Sequence, residues 1–140
     1  NVALGNYTLS SNTTTGNNTA VGYAALSNNT AANNTAVGHQ ALLANTTGTR
    51  NVAVGYNALG DVTTNTDCTA VGYNALALNT ETGNTAFGSR ALDANTTGTR
   101  NVAVGDLASS ASNANDANEA TPKANIKTLF FSKWVRNRSR

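Results

Sequence analysis

Apolar residues in this chain fall in short clusters of nearly constant spelling, separated by polar runs of Asn, Thr and Gly. One cluster reads Asn18-Thr19-Ala20-Val21-Gly22-Tyr23-Ala24-Ala25-Leu26, and it returns with small changes at Asn51–Leu59 and Asn84–Leu92. Aligned on their glycines, the copies are marked by Gly5, Gly22, Gly38, Gly55, Gly72, Gly88 and Gly105, with spacings of 17, 16, 17, 17, 16 and 17 residues. A fixed period of this kind is the signature of a repeat architecture. No apolar stripe at i, i+3, i+4, i+7 survives in the phrase, and glycine sits in every copy, so helix is a poor fit. Strand fits better. Thr19, Val21, Tyr23 and Ala25 would face one way, and Ala20, Gly22 and Ala24 the other. Links such as Asn45-Thr46-Thr47-Gly48 carry turn chemistry. The expected coil is therefore strand, turn, second short strand and return.

Coils of this length stack at the strand spacing of about 4.8 Å. The fold expected is all-β, a parallel β-roll or β-solenoid of about seven coils with a non-repeat C-terminal tail. Its repeat core is read as Val21, Gly22, Val37, Gly38, Val54, Gly55, Val71, Gly72, Phe87, Gly88, Val104 and Gly105. Stacking also aligns Asn18, Asn34, Asn51, Asn84 and Asn101 into a ladder of amide hydrogen bonds. Cys68 takes the Asn place in one rung and reads as a buried thiol. A second period overlies the first. Ala41–Gly55 and Ala91–Gly105 differ only at Leu43 against Asp93, 50 residues apart, which points to duplication of a three-coil unit.

Composition sharpens this picture. Ala, Asn and Thr make up 69 of the 140 residues, and charged residues only 11%. Large apolar groups are too few for a conventional interlocked core. Yet the strand phrase is apolar or small on both faces, and such strands are usually buried on both. One face would cover its own coil. The other, with Ala20 and Gly22 allowing close backbone approach, is expected to meet a neighbouring chain, which makes a homo-oligomer the economical solution. A single cysteine forbids an internal disulfide, and no apolar run reaches the length of a membrane-spanning helix.

The repeated Asn-Thr-Ala-Val-Gly-Tyr-x-Ala-Leu phrase with its Asn-Thr-Thr-Gly links resembles the head repeats of trimeric autotransporter adhesins. It is closer still to the 17-residue variant of bacterial and phage tail-fibre-like proteins. The resemblance covers about residues 1–108. It implies a left-handed parallel β-roll, three chains about one axis, and a role as an extended fibre at the cell surface or on a virion. The partners expected are further copies of the chain in a homotrimer, end-to-end filament neighbours where the raw coil ends join, and a host-surface or matrix receptor.

Beyond the repeat domain at 1–107, residues 108–120 read as a polar linker and residues 121–140 as a basic aromatic tail. The charge is divided. Residues 1–120 hold three Arg and seven acids, and residues 121–140 hold six Lys or Arg and no acid. Ile126, Leu129, Phe130, Phe131 and Trp134 concentrate large apolar groups in the tail, on a face that suits helix or strand equally. Docking of this tail on a raw coil end is the favoured reading. A basic membrane or nucleic-acid contact and a flexible end are the alternatives, and no nucleic-acid partner is expected.

The chemistry of an enzyme is not evident. His39 is the only His and stands in the tyrosine position of its coil. Asp61, Asp67, Glu81 and Asp93 lie in links, and no cofactor or metal site emerges. The function expected is a structural or adhesive extracellular fibre protein without catalytic activity. An ice-binding solenoid using the row Thr19, Thr35, Thr69 and Thr85, interrupted by Val2, Val52 and Val102, is the alternative, as is a phage tail-fibre segment.

Overall fold

The structure is a computed structural model that describes residues 1–109. It is all-β. Seven three-residue strands form one parallel sheet in chain order: β1 (Val2–Leu4), β2 (Thr19–Val21), β3 (Thr35–Val37), β4 (Val52–Val54), β5 (Thr69–Val71), β6 (Thr85–Phe87) and β7 (Val102–Val104). Register is uniform. Ala20 pairs with Ala36, Ala36 with Ala53, and so on to Ala86 with Ala103. Because consecutive strands are parallel neighbours, each connection must travel once around the coil. The result is a β-solenoid of about six turns, with the 16–17-residue coil expected from the glycine spacing.

The expected second strand is absent among the described residues; the return side is a chain of turns. The reason lies in the backbone after each glycine. Gly22 has φ 127°, Ala24 54° and Leu26 51°, so right- and left-handed residues alternate. Alternation points successive amide groups up and down the stack. Gly22 and Ala24 donate to Leu4 and Asn6 of the preceding coil at 2.8 Å, and Leu26 donates to Ala41 of the following coil at 3.0 Å. The coil is thus hydrogen-bonded to both neighbours without being extended.

This backbone sorts the apolar residues by shape. Val stands in the strands, where β-branching suits the pleat. Leu26, Leu42, Leu59, Leu76 and Leu92 occupy the left-handed position and are almost fully buried. A β-branched side chain there would be a steric outlier, whereas Leu is tolerated at a cost of about 1–2 kcal/mol. Burying one Leu gains about 1.5–3 kcal/mol, and the inter-coil hydrogen bond adds about 1 kcal/mol. Ala20, Ala36, Ala53, Ala70 and Ala86 fill the space opposite and are fully buried. Between strand and turn the coils approach so closely that a Cβ on Gly22 would lie 2.5 Å from the Gly38 carbonyl oxygen. Glycine recurs there for both reasons, positive φ and absent room.

Candidate functional site

The strand presents two faces, and the structure reverses the expected assignment. The small-residue face, expected to meet other chains, is the inside of the chain's own coil: Ala20, Ala36, Ala53, Ala70 and Ala86 have no solvent exposure, and only Ala3 in the end coil is open. The repeat-core valines stand on the outside. Val37 is 37% exposed, Val54 36%, Phe87 43% and Val104 53%, while Val21 and Val71 are half-buried. A coil this narrow has room for Ala opposite Leu and no more, so the larger member of the alternating pair must point out. The glycines of that set, Gly22 to Gly105, do lie at the close contact between coils, except that Gly105 has no coil above it among the described residues.

Outside the coil, repetition turns single exposed residues into continuous columns. Leu4, Val21, Val37, Val54, Val71, Phe87 and Val104 form one column. Val2, Thr19, Thr35, Val52, Thr69, Thr85 and Val102 run beside it. On the other flank lies a row of rings. Tyr7 meets Tyr23 edge-on at 5.6 Å, then Tyr23, His39, Tyr56 and Tyr73 stack face to face at 5.0–5.4 Å between centroids. His39 is therefore one ring of the row, as its place in the repeat suggested. Among the described residues no His, Cys, Asp and Glu gather in a group that could hold a metal.

Comparison with known proteins adds no identity. No protein-family model, curated protein or solved structure matches the chain.

The asparagine ladder exists with a different bond pattern from the one expected. Except at Asn101, the last described rung, whose Oδ1 and Nδ2 have no partner among the described residues, each Oδ1 accepts from the backbone N–H of the next rung: Asn18 from Asn34 at 2.9 Å, Asn34 from Asn51 at 3.0 Å, Asn84 from Asn101 at 2.9 Å. Each Nδ2 donates to a carbonyl in the next link, as Asn34 does to Gly48 and Asn84 to Gly98 at 2.8 Å. All of these asparagines are buried, so the pattern satisfies polar groups that would be costly alone. A second ladder went unread. Asn29, Asn45, Asn79 and Asn95 are buried too, with Asn45 Nδ2 donating to Asn29 Oδ1 and Asn95 Nδ2 to Asn79 Oδ1 at 2.7 Å. The available signal was their constant offset of seven residues from the preceding glycine.

One link breaks both ladders. Val62 replaces the second-ladder Asn and leaves the buried Asn45 Oδ1 without a partner. Cys68 replaces the first-ladder Asn, keeps the backbone bond of that position by donating its own N–H to Asn51 Oδ1 at 3.0 Å, and is buried as expected. Burial pushes its thiol above the usual range, against weaker hydrogen bonds from Asn84, Gly83 and Asn79. Asn65 stands where the regular link has Gly48, and its Nδ2 donates to the Asn79 and Glu81 carbonyls. Spanning this link on the surface, Arg50 grips Asp67 with two bonds of 2.6 and 2.8 Å. That grip holds Asp67 below the usual carboxylate range and Arg50 above its own.

The tail residues Ile126, Leu129, Phe130, Phe131 and Trp134 lie outside the described residues, as does the 110–120 part of the linker.

Proposed function

We propose that this chain is a segment of a non-catalytic, adhesive or structural fibre outside the cell, on a cell surface or a virion, and that its working form is a homotrimer. The observation that carries the reading is the outer strand column from Leu4 to Val104, apolar at every level and exposed except at the half-buried Val21 and Val71. Scattered exposed apolar residues are ordinary, but a continuous strip rimmed by polar links is the mark of an interaction surface. A strip that repeats every coil suits a partner with the same repeat, and a second and third copy of this chain provide it. Stacked coils of uniform register also suit a fibre, since length then follows coil number and needs no new interface.

The reading is tested by sedimentation of the purified full chain and of Val54→Asp. The wild type should sediment at three times the chain mass, and the variant should fall to a monomer, because an unpaired carboxylate in a dry interface costs several kcal/mol. A folded wild-type monomer, or a variant that assembles like the wild type, would overturn it.

A further inference from the structure

The two three-coil units differ at several positions around a surface depression carried by the second unit. It encloses about 430 Å³ between coils and is lined by Asp61, Tyr73, Asn74, Leu78, Arg90 and Asp93 among others. Moving back by 50 residues gives the counterparts in the first unit: Ser11 for Asp61, Tyr23 for Tyr73, Ala24 for Asn74, Gln40 for Arg90 and Leu43 for Asp93. The tyrosine is kept while its polar neighbours are all new. In the otherwise identical pair of segments Ala41–Gly55 and Ala91–Gly105, the one departure puts a carboxylate on this wall.

Two features of the wall look toward a ligand. First, the Asn74 Oδ1 and Asp93 Oδ1 atoms are shielded from water and have no hydrogen-bond partner. Oxygens left this way carry a desolvation cost that a donor would remove once side-chain movement uncovers them. Arg90 Nε holds the other Asp93 oxygen at 2.8 Å, yet the Arg90 side chain is 53% exposed, so it can swing outward. Second, Tyr73 is the last ring of the stacked row among the described residues. Tyr56 packs on it at 5.4 Å, and the next coil offers Ser89 in place of a ring. A half-exposed ring face therefore adjoins unpartnered acceptors and a movable guanidinium.

We propose that this depression binds a neutral saccharide. The C–H face of a pyranose would pack on Tyr73, its hydroxyls would donate to Asn74 and Asp93, and Arg90, displaced from Asp93, would donate to a ring or hydroxyl oxygen. The volume falls within the range of small-molecule sites and suits one or two sugar rings. Two carboxylates against one guanidinium leave the wall net negative, which disfavours acidic sugars. The proposal names the ligand class for the adhesive reading and rests on that reading for its purpose, not for its chemistry.

The first unit supplies the test variants, since its own coils fold with Leu43, Ala24 and Gln40 in these places. Methyl glycosides of glucose, galactose, mannose and N-acetylglucosamine, then their short oligomers, are titrated against the isotope-labelled full chain by amide chemical shift. At least one should saturate in the millimolar range and shift the signals of Tyr73, Asn74, Arg90 and Asp93. Asp93→Leu and Asn74→Ala should each weaken it about tenfold. The double variant should abolish it while sedimenting like the wild type. Absence of saturable binding to every probe, or equal affinity in Asp93→Leu, overturns the site. So does a response to calcium alone that chelation reverses. Sugar binding by a monomeric chain would sink the assembly reading and leave this one standing.

Discussion

The link Asn45–Asn51 and the link Val62–Cys68 sit one above the other in the stack and do the same geometric job with different chemistry. In the first, two buried asparagines bracket a glycine. A Cβ on Gly48 would strike the Asn65 carbonyl and the Asn45 side chain and come within 3.0 Å of Asn51 Nδ2. In the second, both bracketing asparagines are gone and the glycine has become Asn65, whose side chain enters the stack and bonds carbonyls there. The link above it, leading to Gly88, is also one residue shorter. The lesson is that Val62, Asn65 and Cys68 form one substitution in three parts. Removing two amides makes room for a third from a different position.

The largest effect should come from moving one part alone. Gly48→Asn puts the Asn65 side chain into a link that still has both flanking asparagines. It should lower stability by about 3 kcal/mol in urea denaturation. Little or no loss would break the comparison. Next comes the full exchange. Val62→Asn, Asn65→Gly and Cys68→Asn together should restore both ladders, give Asn45 Oδ1 a donor, and raise stability by about 1–3 kcal/mol. Each single change should do less than its share, since parts in one network do not add.

Cys68 gives a smaller and pH-dependent difference. Its pKa is raised on folding, so its contribution is complete below the free-thiol range and declines as pH rises through the raised value. Denaturation at neutral and alkaline pH should show the gap between the wild type and the triple variant holding constant near neutrality and widening only at alkaline pH. The smallest effect belongs to the ion pair that ties the two links. Asp67 is held below its ordinary value by Arg50, so its contribution is present above the unfolded carboxylate pKa and fades as pH falls through the depressed one. Asp67→Asn should remove that acid-limb dependence and change the neutral-pH Tm only slightly, because the pair is fully at the surface.

The strand positions and their register were legible because a glycine that must occupy one spot per coil prints the coil length directly onto the sequence. The facing of Val54 against Ala53 was not. Both faces of the phrase are apolar, and hydrophobic pattern cannot say which of two apolar sides is inside. Only the width of the coil decides, and that depends on the left-handed turn at Leu59. This turn was hidden in its own way, since Leu rarely adopts positive φ and was read as strand. Asn45 and Asn79 were missed because buried asparagine in a link is spelled like an ordinary turn residue. Of the candidate surface, the members were named correctly but assigned to the interior. The depression beside Tyr73 was visible only as the isolated exchange of Leu43 for Asp93.

Uniform register has a consequence for how the stack finds its place during folding. A coil that meets Ala with Ala and Gly with Gly at every level meets nearly the same partners if the chain pairs with the wrong neighbour, so most rungs carry no information about position. The Val62–Cys68 link does. Its Val62, Asn65 and Cys68 occur together in no other described link, and the link above it is one residue shorter. This irregular rung serves as an index mark on an otherwise unnumbered ladder, and erasing it by the triple exchange should yield a chain more stable once folded yet more prone to slipped and interchain pairing on the way.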